Sequence, residues 1–291
     1  MSMSNDRQGA TNLSLEKWFK VVAASSPPPF LAEVVENYES DYGELWAITA
    51  APNSPGAAPR KRGIGKSVLA VKLLIHTYYR VWGRVPAWEE IRPYIFFKPK
   101  EFVRLLLQLR DRNQRIPLAV WDDAGEWLFR SRAREKFVVR VCESLEVIRT
   151  VMGNLMFTAT SVGKLARAVR ESLTYIVTVS VVGQVKRGST TVKRSKAKLY
   201  YSTEDYSWLF NRKAMPKPVG EWTFTVWLPD EIYWKYFAYR STYVDVAAER
   251  VWKDLERLAS EEEEEAELEE AERGLRELST SVDLKREWGY G

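Results

Sequence analysis

The sequence predicts an α/β protein: a three-layer sandwich around a mainly parallel sheet, with a C-terminal β-hairpin region and a long C-terminal helix. Two observations carry that reading. Strand-like apolar runs alternate with amphipathic helical patterns from Glu44 to Val182, the order that builds right-handed crossovers between parallel strands. Beyond Gly183 the alternation stops, and two β-prone runs flank the turn residues Arg187-Gly188-Ser189.

Leu13 to Ala24 is amphipathic, with Leu15, Trp18, Phe19 and Val22 on one face, and ends at Ser25-Ser26-Pro27-Pro28-Pro29, a stiff extended linker. A short helix is expected around Phe30–Tyr38 and a first strand over Glu44–Ala50. The helix Lys66–Trp82 is apolar around most of its girth, through Val68, Leu69, Val71, Leu73, Leu74 and Ile75, so it is buried against a sheet. Tyr94–Phe97 reads as a short strand, Pro99–Asn113 as a helix, and Leu118–Trp121 as a strand buried on both faces. Ala133–Met152 makes a long helix, Asn154–Thr160 a strand, Val162–Ser172 a helix and Thr174–Val182 another strand. Val179–Lys186 and Thr190–Tyr201 then form a hairpin, and Trp222–Trp227 alternates threonine with aromatics as a strand does. Pro229-Asp230 opens a helix from Glu231 to about Leu258. The chain is thus expected to divide into a helical and proline-rich extension (1–40), an α/β core (41–182), a basic hairpin and strand (183–228), a C-terminal helix (229–260) and an acidic tail (261–291).

Composition narrows the function classes. A hydrophobic share of 45% in 291 residues is ample for one large core. No apolar run approaches the ~18 residues of a membrane span, and Met1 to Asn12 lacks the pattern of a secretory signal. A cytoplasmic protein without a membrane partner is expected. The single cysteine, Cys142, excludes an internal disulfide and reads as a core thiol; the lone His76 reads as a packing residue. Scarce Asn and Gln beside plentiful Arg and Glu resemble a protein from a hot environment, a thermophile. The formal charge of +5 is unevenly spread: residues 261–291 carry 12 acidic and 4 basic groups, leaving 40 basic and 27 acidic groups in the rest. A basic body with an acidic tail suits a polyanion-binding protein.

Chemistry concentrates at two places. Gly63-Ile64-Gly65-Lys66-Ser67 opens the buried helix, and a glycine turn entering a helix aims backbone N–H groups at one spot, where they and the helix dipole hold phosphate. The backbone of Gly63, Ile64, Gly65, Lys66, Ser67 and Val68 is the candidate nucleotide cradle. Lys66 would reach the β/γ-phosphates and Ser67 would ligate Mg²⁺. Further along, Leu118–Trp121 ends in Asp122-Asp123, one carboxylate for the metal's water shell and one to polarise an attacking water. Arg60 stands where the usual pattern has its first glycine. Pro52 to Pro59 intervenes between the first strand and the turn, either as an insertion or as an extended, proline-stiffened entry.

On Gly63–Ser67, Val120–Asp123 and Phe157-Thr158-Ala159-Thr160-Ser161, residues 40–182 resemble the P-loop ATPases with an additional strand between the P-loop strand and the acidic-motif strand. That division includes RecA-like, HerA–FtsK-like and AAA+ proteins, and the chain is also similar to uncharacterised ATPases of archaeal viruses and plasmids. The resemblance implies ATP and Mg²⁺ as cofactors. Asp122 would order the metal, Asp123 would stand where the division usually has a catalytic glutamate, and Thr160 would sense the γ-phosphate. Aspartate is one methylene shorter, so slow hydrolysis or a role for Glu126 follows. Oligomeric rings with an arginine donated in trans are common in the division; Arg149, Arg167 and Arg170 are equal candidates here.

Six basic residues and no acidic one lie between Gly183 and Tyr201: Lys186, Arg187, Lys193, Arg194, Lys196 and Lys198. On a hairpin Arg194, Lys196 and Lys198 share a face and can follow a phosphate backbone, with Tyr200, Tyr201, Tyr206 and Trp208 near for base stacking. The same lysines also suit an exposed edge guarded against pairing. The expected function is an ATP-hydrolysing motor or packaging ATPase acting on DNA. An AAA+-like initiator or loader, a nucleotide-dependent adaptor with little turnover, and a small-molecule kinase are the alternatives.

Overall fold

A computed structural model describes residues 28–51, 63–129, 136–187, 189–202, 217–245 and 252. The expected helix at Leu13–Ala24, the proline-rich entry at 52–59, Tyr206, Trp208 and the acidic tail lie outside the described residues. The chain divides into two units, Met1–Tyr236 and Phe237–Gly291.

One sheet organises the first unit. Its strands are β1 (Glu44–Ala50), β2 (Ile95–Phe96), β3 (Ala119–Trp121), β4 (Asn154–Thr158), β5 (Tyr175–Arg187), β6 (Thr190–Tyr201) and β7 (Gly220–Thr225). They lie in the order β2-β3-β4-β1-β5-β6-β7. The four pairings from β2 to β5 are parallel, and the two that add β6 and β7 are antiparallel. β4 therefore lies between β1 and β3.

The helices are α1 (Leu31–Glu39), α2 (Lys66–Trp82), α3 (Trp88–Ile91), α4 (Pro99–Asp111), α5 (Lys136–Ile148) and α6 (Arg167–Glu171), with α7 over 230–245. Against one face of the sheet α2 packs on β1, β3 and β4, with α1 beside it. Against the other, Phe102 and Leu105 of α4, Val141 and Leu145 of α5 and Val169 of α6 are buried with Ala47, Trp121, Leu155 and Phe157. Side chains alternate across a strand, so strands covered on both faces are apolar throughout. That is why β1 and β3 read as unbroken hydrophobic runs.

One buried polar residue ties the layers. Asn154, at the start of β4, accepts from Trp46 Nε1 (2.8 Å) and Asn37 Nδ2 (3.0 Å) and donates to the Val34 (2.7 Å) and Pro117 (3.0 Å) carbonyls. Fully partnered, it fixes α1 against the sheet at low cost; stripped of partners it would destabilise the core.

Three expectations are corrected. Val162–Ser172 is not one helix: a 3₁₀ turn at Val162–Lys164 is separated from α6 by extended Leu165 and Ala166. Long-range contacts impose the break, because Leu165 bridges Phe129 and the Ala166 N–H donates to the Leu128 carbonyl at 2.8 Å. β4 ends at Thr158, not Thr160. The boundary expected at 182/183 falls inside β5, a strand of 13 residues that serves both the parallel core and the hairpin. Among the described residues no helix is long and apolar enough to cross a membrane.

Candidate phosphate and metal site

The turn before α2 is built on two left-handed glycines, Gly63 (φ +67°) and Gly65 (φ +97°). Gly65 is the helix N-cap, and its carbonyl accepts from Leu69 N at 2.8 Å to start the first turn. First-turn amides point out of the N-terminal end of a helix. The carbonyls of the turn are engaged by β6: Gly63 accepts from Lys193 Nζ (3.0 Å) and Ile64 from Ser195 Oγ (2.8 Å). In a planar trans peptide the carbonyl and the following N–H point oppositely. Holding those two oxygens on β6 therefore turns the amides of Ile64 and Gly65 the other way. The result is a cradle of donors backed by a strand.

Asp122 faces this turn. Asp122 follows β3 directly, its N–H donating to the Phe96 carbonyl at 2.9 Å and its side chain only 1% exposed. Ser67 Oγ donates to Asp122 Oδ1 at 2.9 Å, and the Thr158 hydroxyl donates to the same oxygen. The Tyr236 hydroxyl, from α7, donates to Oδ2. Three hydroxyls thus surround one buried carboxylate. Asp123 sits in the left-handed region at φ +54°, half-buried, and its N–H donates to Thr158 Oγ1 at 2.8 Å. One threonine hydroxyl therefore sets the disposition of both aspartates.

The hydroxyl that touches the acidic pair belongs to Thr158, whereas Thr160 lies two residues past the strand, beside the Gly125 turn. Glu126 is exposed, at the end of the 3₁₀ turn Ala124–Glu126. Lys66, Ser67 and Val68 are half-buried, Ile64 and Gly65 buried and Gly63 exposed.

The basic residues separate into different roles. Arg194, Lys196 and Lys198 share one face of β6, as the alternation requires. The sheet nevertheless places Glu221 of β7 opposite Lys198, and it pairs with both Lys196 and Lys198, the latter at 3.1 Å. Those two lysines hold the Glu221 carboxyl below its usual range. Lys193 points the other way, onto the turn. The Arg187 guanidinium stacks 3.4 Å from the Trp227 ring centre, and burial lowers its pKa, partly offset by Asp230. Lys186 and Arg194 are exposed. Of the aromatics nearby, Tyr200 is buried and Tyr201 is 51% exposed.

Of the candidate trans arginines, Arg149 lies against Gly43, at the opposite end of β1 from the site. Arg167 is exposed and pairs with Glu171 at 2.6 Å, and Arg170 is half-buried on α6.

Lys72, Ser195 and Tyr236 escaped sequence reasoning. Lys72 is a charged position on an otherwise apolar stretch of α2. It is 1% exposed and donates to the Thr225 carbonyl at 2.8 Å, tying α2 to β7. Burial, and secondarily Arg187, pushes its pKa down to about 7. Burial, then Lys72, lowers His76 to about 4, and its ring meets Trp222 edge-on at 6.3 Å. His76 is thus a packing residue, as the sequence indicated.

Fold and site together define an α/β protein whose glycine turn and buried acidic strand end converge at the carboxyl ends of the parallel strands of a mostly parallel sheet. No protein-family model matches the chain. It is similar to the uncharacterised protein B-251 of Sulfolobus spindle-shape virus 1, with 26% identity over 194 residues that cover 66% of this chain and 75% of that protein. That likeness agrees with the archaeal-virus part of the resemblance.

Proposed function

We propose that the chain is a P-loop ATPase of the additional-strand division, binding ATP with Mg²⁺ and hydrolysing it in the service of DNA movement or packaging. The observation that carries this reading is the Ser67 hydroxyl on the Asp122 carboxylate at 2.9 Å, joining the start of α2 to the end of β3 across an intervening strand. The residues fit the metal. A serine hydroxyl and a buried carboxylate are hard oxygen donors, and Mg²⁺ takes few protein ligands, keeping waters and phosphate oxygens for the rest. When bound, Mg²⁺ neutralises charge on the β- and γ-phosphates. The chain's own residues do the remainder. The amides from Gly63 to Val68 would hold the phosphates, Lys66 would pair with them, and Asp122 would order the metal's water shell. Asp123 would orient the attacking water and Thr160 would contact the terminal phosphate.

DNA contact is assigned to Lys186 and Arg194, with Lys196 and Lys198 restrained by Glu221. The antiparallel extension β6–β7 stands in the chain where an initiator-type ATPase would carry a helical lid, which favours the motor reading. One observation favours a second reading, a nucleotide-dependent switch with little turnover: the short Asp123 side chain hangs from a left-handed backbone fixed by Thr158. ATP turnover at elevated temperature, with and without single- and double-stranded DNA, tests both. The motor reading expects DNA-stimulated turnover abolished by Lys66→Ala; nucleotide binding without turnover leaves the switch; no nucleotide binding removes both.

A further inference from the structure

The helix that begins after Pro229 enters the site. Ile232 and Tyr236, four residues apart, are 1% and 4% exposed, and Leu228 just before the helix is 0% exposed, so one face of the first turns of α7 is buried. The Tyr236 ring lies edge-on to Trp88 at 6.4 Å and tilted to Phe97 at 6.3 Å. The Ile232 and Tyr233 amides donate to the Pro229 carbonyl at 3.0 and 2.7 Å, which fixes the start of the helix. The phenol is therefore placed by packing, and its hydroxyl lands on Asp122 Oδ2.

The two carboxylate oxygens are not equivalent. Oδ1 faces Ser67 and Thr158, on the side of the glycine turn, while Oδ2 accepts from the Tyr236 hydroxyl. Metal binding would draw the Ser67 hydroxyl away and leave Oδ1 to a metal-bound water. Thr158 and Tyr236 would then be the hydroxyls keeping the carboxylate plane fixed.

We propose that Tyr236 is a positioning residue for Asp122, holding Oδ2 so that Oδ1 stays aimed at the metal, and that the first turns of α7 are thereby part of the nucleotide site. This rests on the Mg²⁺–ATP reading given above. A hydrogen bond from a neutral hydroxyl to a buried carboxylate is charge-assisted and stronger than one between neutral groups.

Tyr236→Phe removes the hydroxyl and keeps the ring between Trp88 and Phe97. Two measurements on the full chain test it. The first is the Mg²⁺ concentration at half-saturation for binding a fluorescent ATP analogue. The expected result is an increase of about tenfold in Tyr236→Phe, with affinity in excess EDTA unchanged. The second needs no nucleotide: hydrogen exchange of the segment 119–124, expected to be faster in the variant. Unchanged values in both measurements overturn the proposal. So does equal weakening with and without Mg²⁺, which would mark a packing role. If the wild type ignores nucleotide while the exchange difference persists, the ATPase reading fails and the Tyr236–Asp122 link survives it. Tyr236→Leu, which also removes the ring, should lower thermal stability and serves as the packing control.

Discussion

Gly65→Ala perturbs the candidate site at its tightest point. A Cβ there would lie 2.7 Å from Val226 Cγ2, 3.1 Å from Val226 Cγ1 and 3.3 Å from Phe224 Cε2. The backbone also sits at φ +97°, a conformation that costs an L-residue about 1–2 kcal/mol. Crowding into a packed surface adds about 1–3 kcal/mol. The expected loss is therefore about 2–5 kcal/mol, a large part of the ~5–15 kcal/mol that holds a typical domain. Val226 is half-buried, so Val226→Ala alone should cost little. In the double variant the clash is relieved and the backbone strain remains. A double-mutant cycle by chemical denaturation should show about 1–3 kcal/mol of favourable coupling. Nucleotide binding should stay impaired in both Gly65 variants, because the strained turn no longer presents its amides. Strictly additive losses would mean that Val226, the residue after β7, does not crowd the turn, and the steric account of Gly65 would be wrong.

Three further outcomes are expected. Lys72 has its pKa lowered from 10.5 to about 7 by burial, so between those values the unfolded chain holds a proton that the folded protein has released. Stability should rise with pH through that window, since the unfolded state binds more protons there, and Lys72→Met should flatten the rise when unfolding is followed from pH 7 to 10. Asp122→Asn keeps the shape but weakens the three hydroxyl contacts, and Mg²⁺-dependent nucleotide binding should fall at least tenfold; unchanged binding would detach Asp122 from the metal. Glu221→Gln releases Lys196 and Lys198, so affinity for DNA should increase at low salt and its salt dependence steepen, read by fluorescence anisotropy. A flat response would place the nucleic-acid contact elsewhere.

Much of the core was legible because period and burial agree there. β1 and α2 fall where the sequence puts them, since a both-faces-buried strand and a glycine-capped helix leave local marks. The approach of Ser67 to Asp122 followed from topology once β1 and β3 were recognised. What failed to show was set by register and distant contact. The register Trp121↔Phe157 places Thr158 beside Asp122, and nothing local to either strand specifies that alignment. Glu221 neutralises lysines that looked unopposed, because β7 joins β6 across a long connection. Lys72 sits in an apolar helix and Tyr236 in an amphipathic one. Their roles depend on a carbonyl and a carboxylate far away in the chain. The break before α6 likewise comes from pairing with Phe129, against a helical pattern that looked continuous.

Equilibrium binding of labelled ATP, titrated with Mg²⁺ for the wild type and for Lys66→Ala, addresses the nucleotide site most directly. Saturable, Mg²⁺-strengthened binding that collapses in the variant is the expected result. Binding that is absent, or indifferent to both the metal and Lys66, would contradict it.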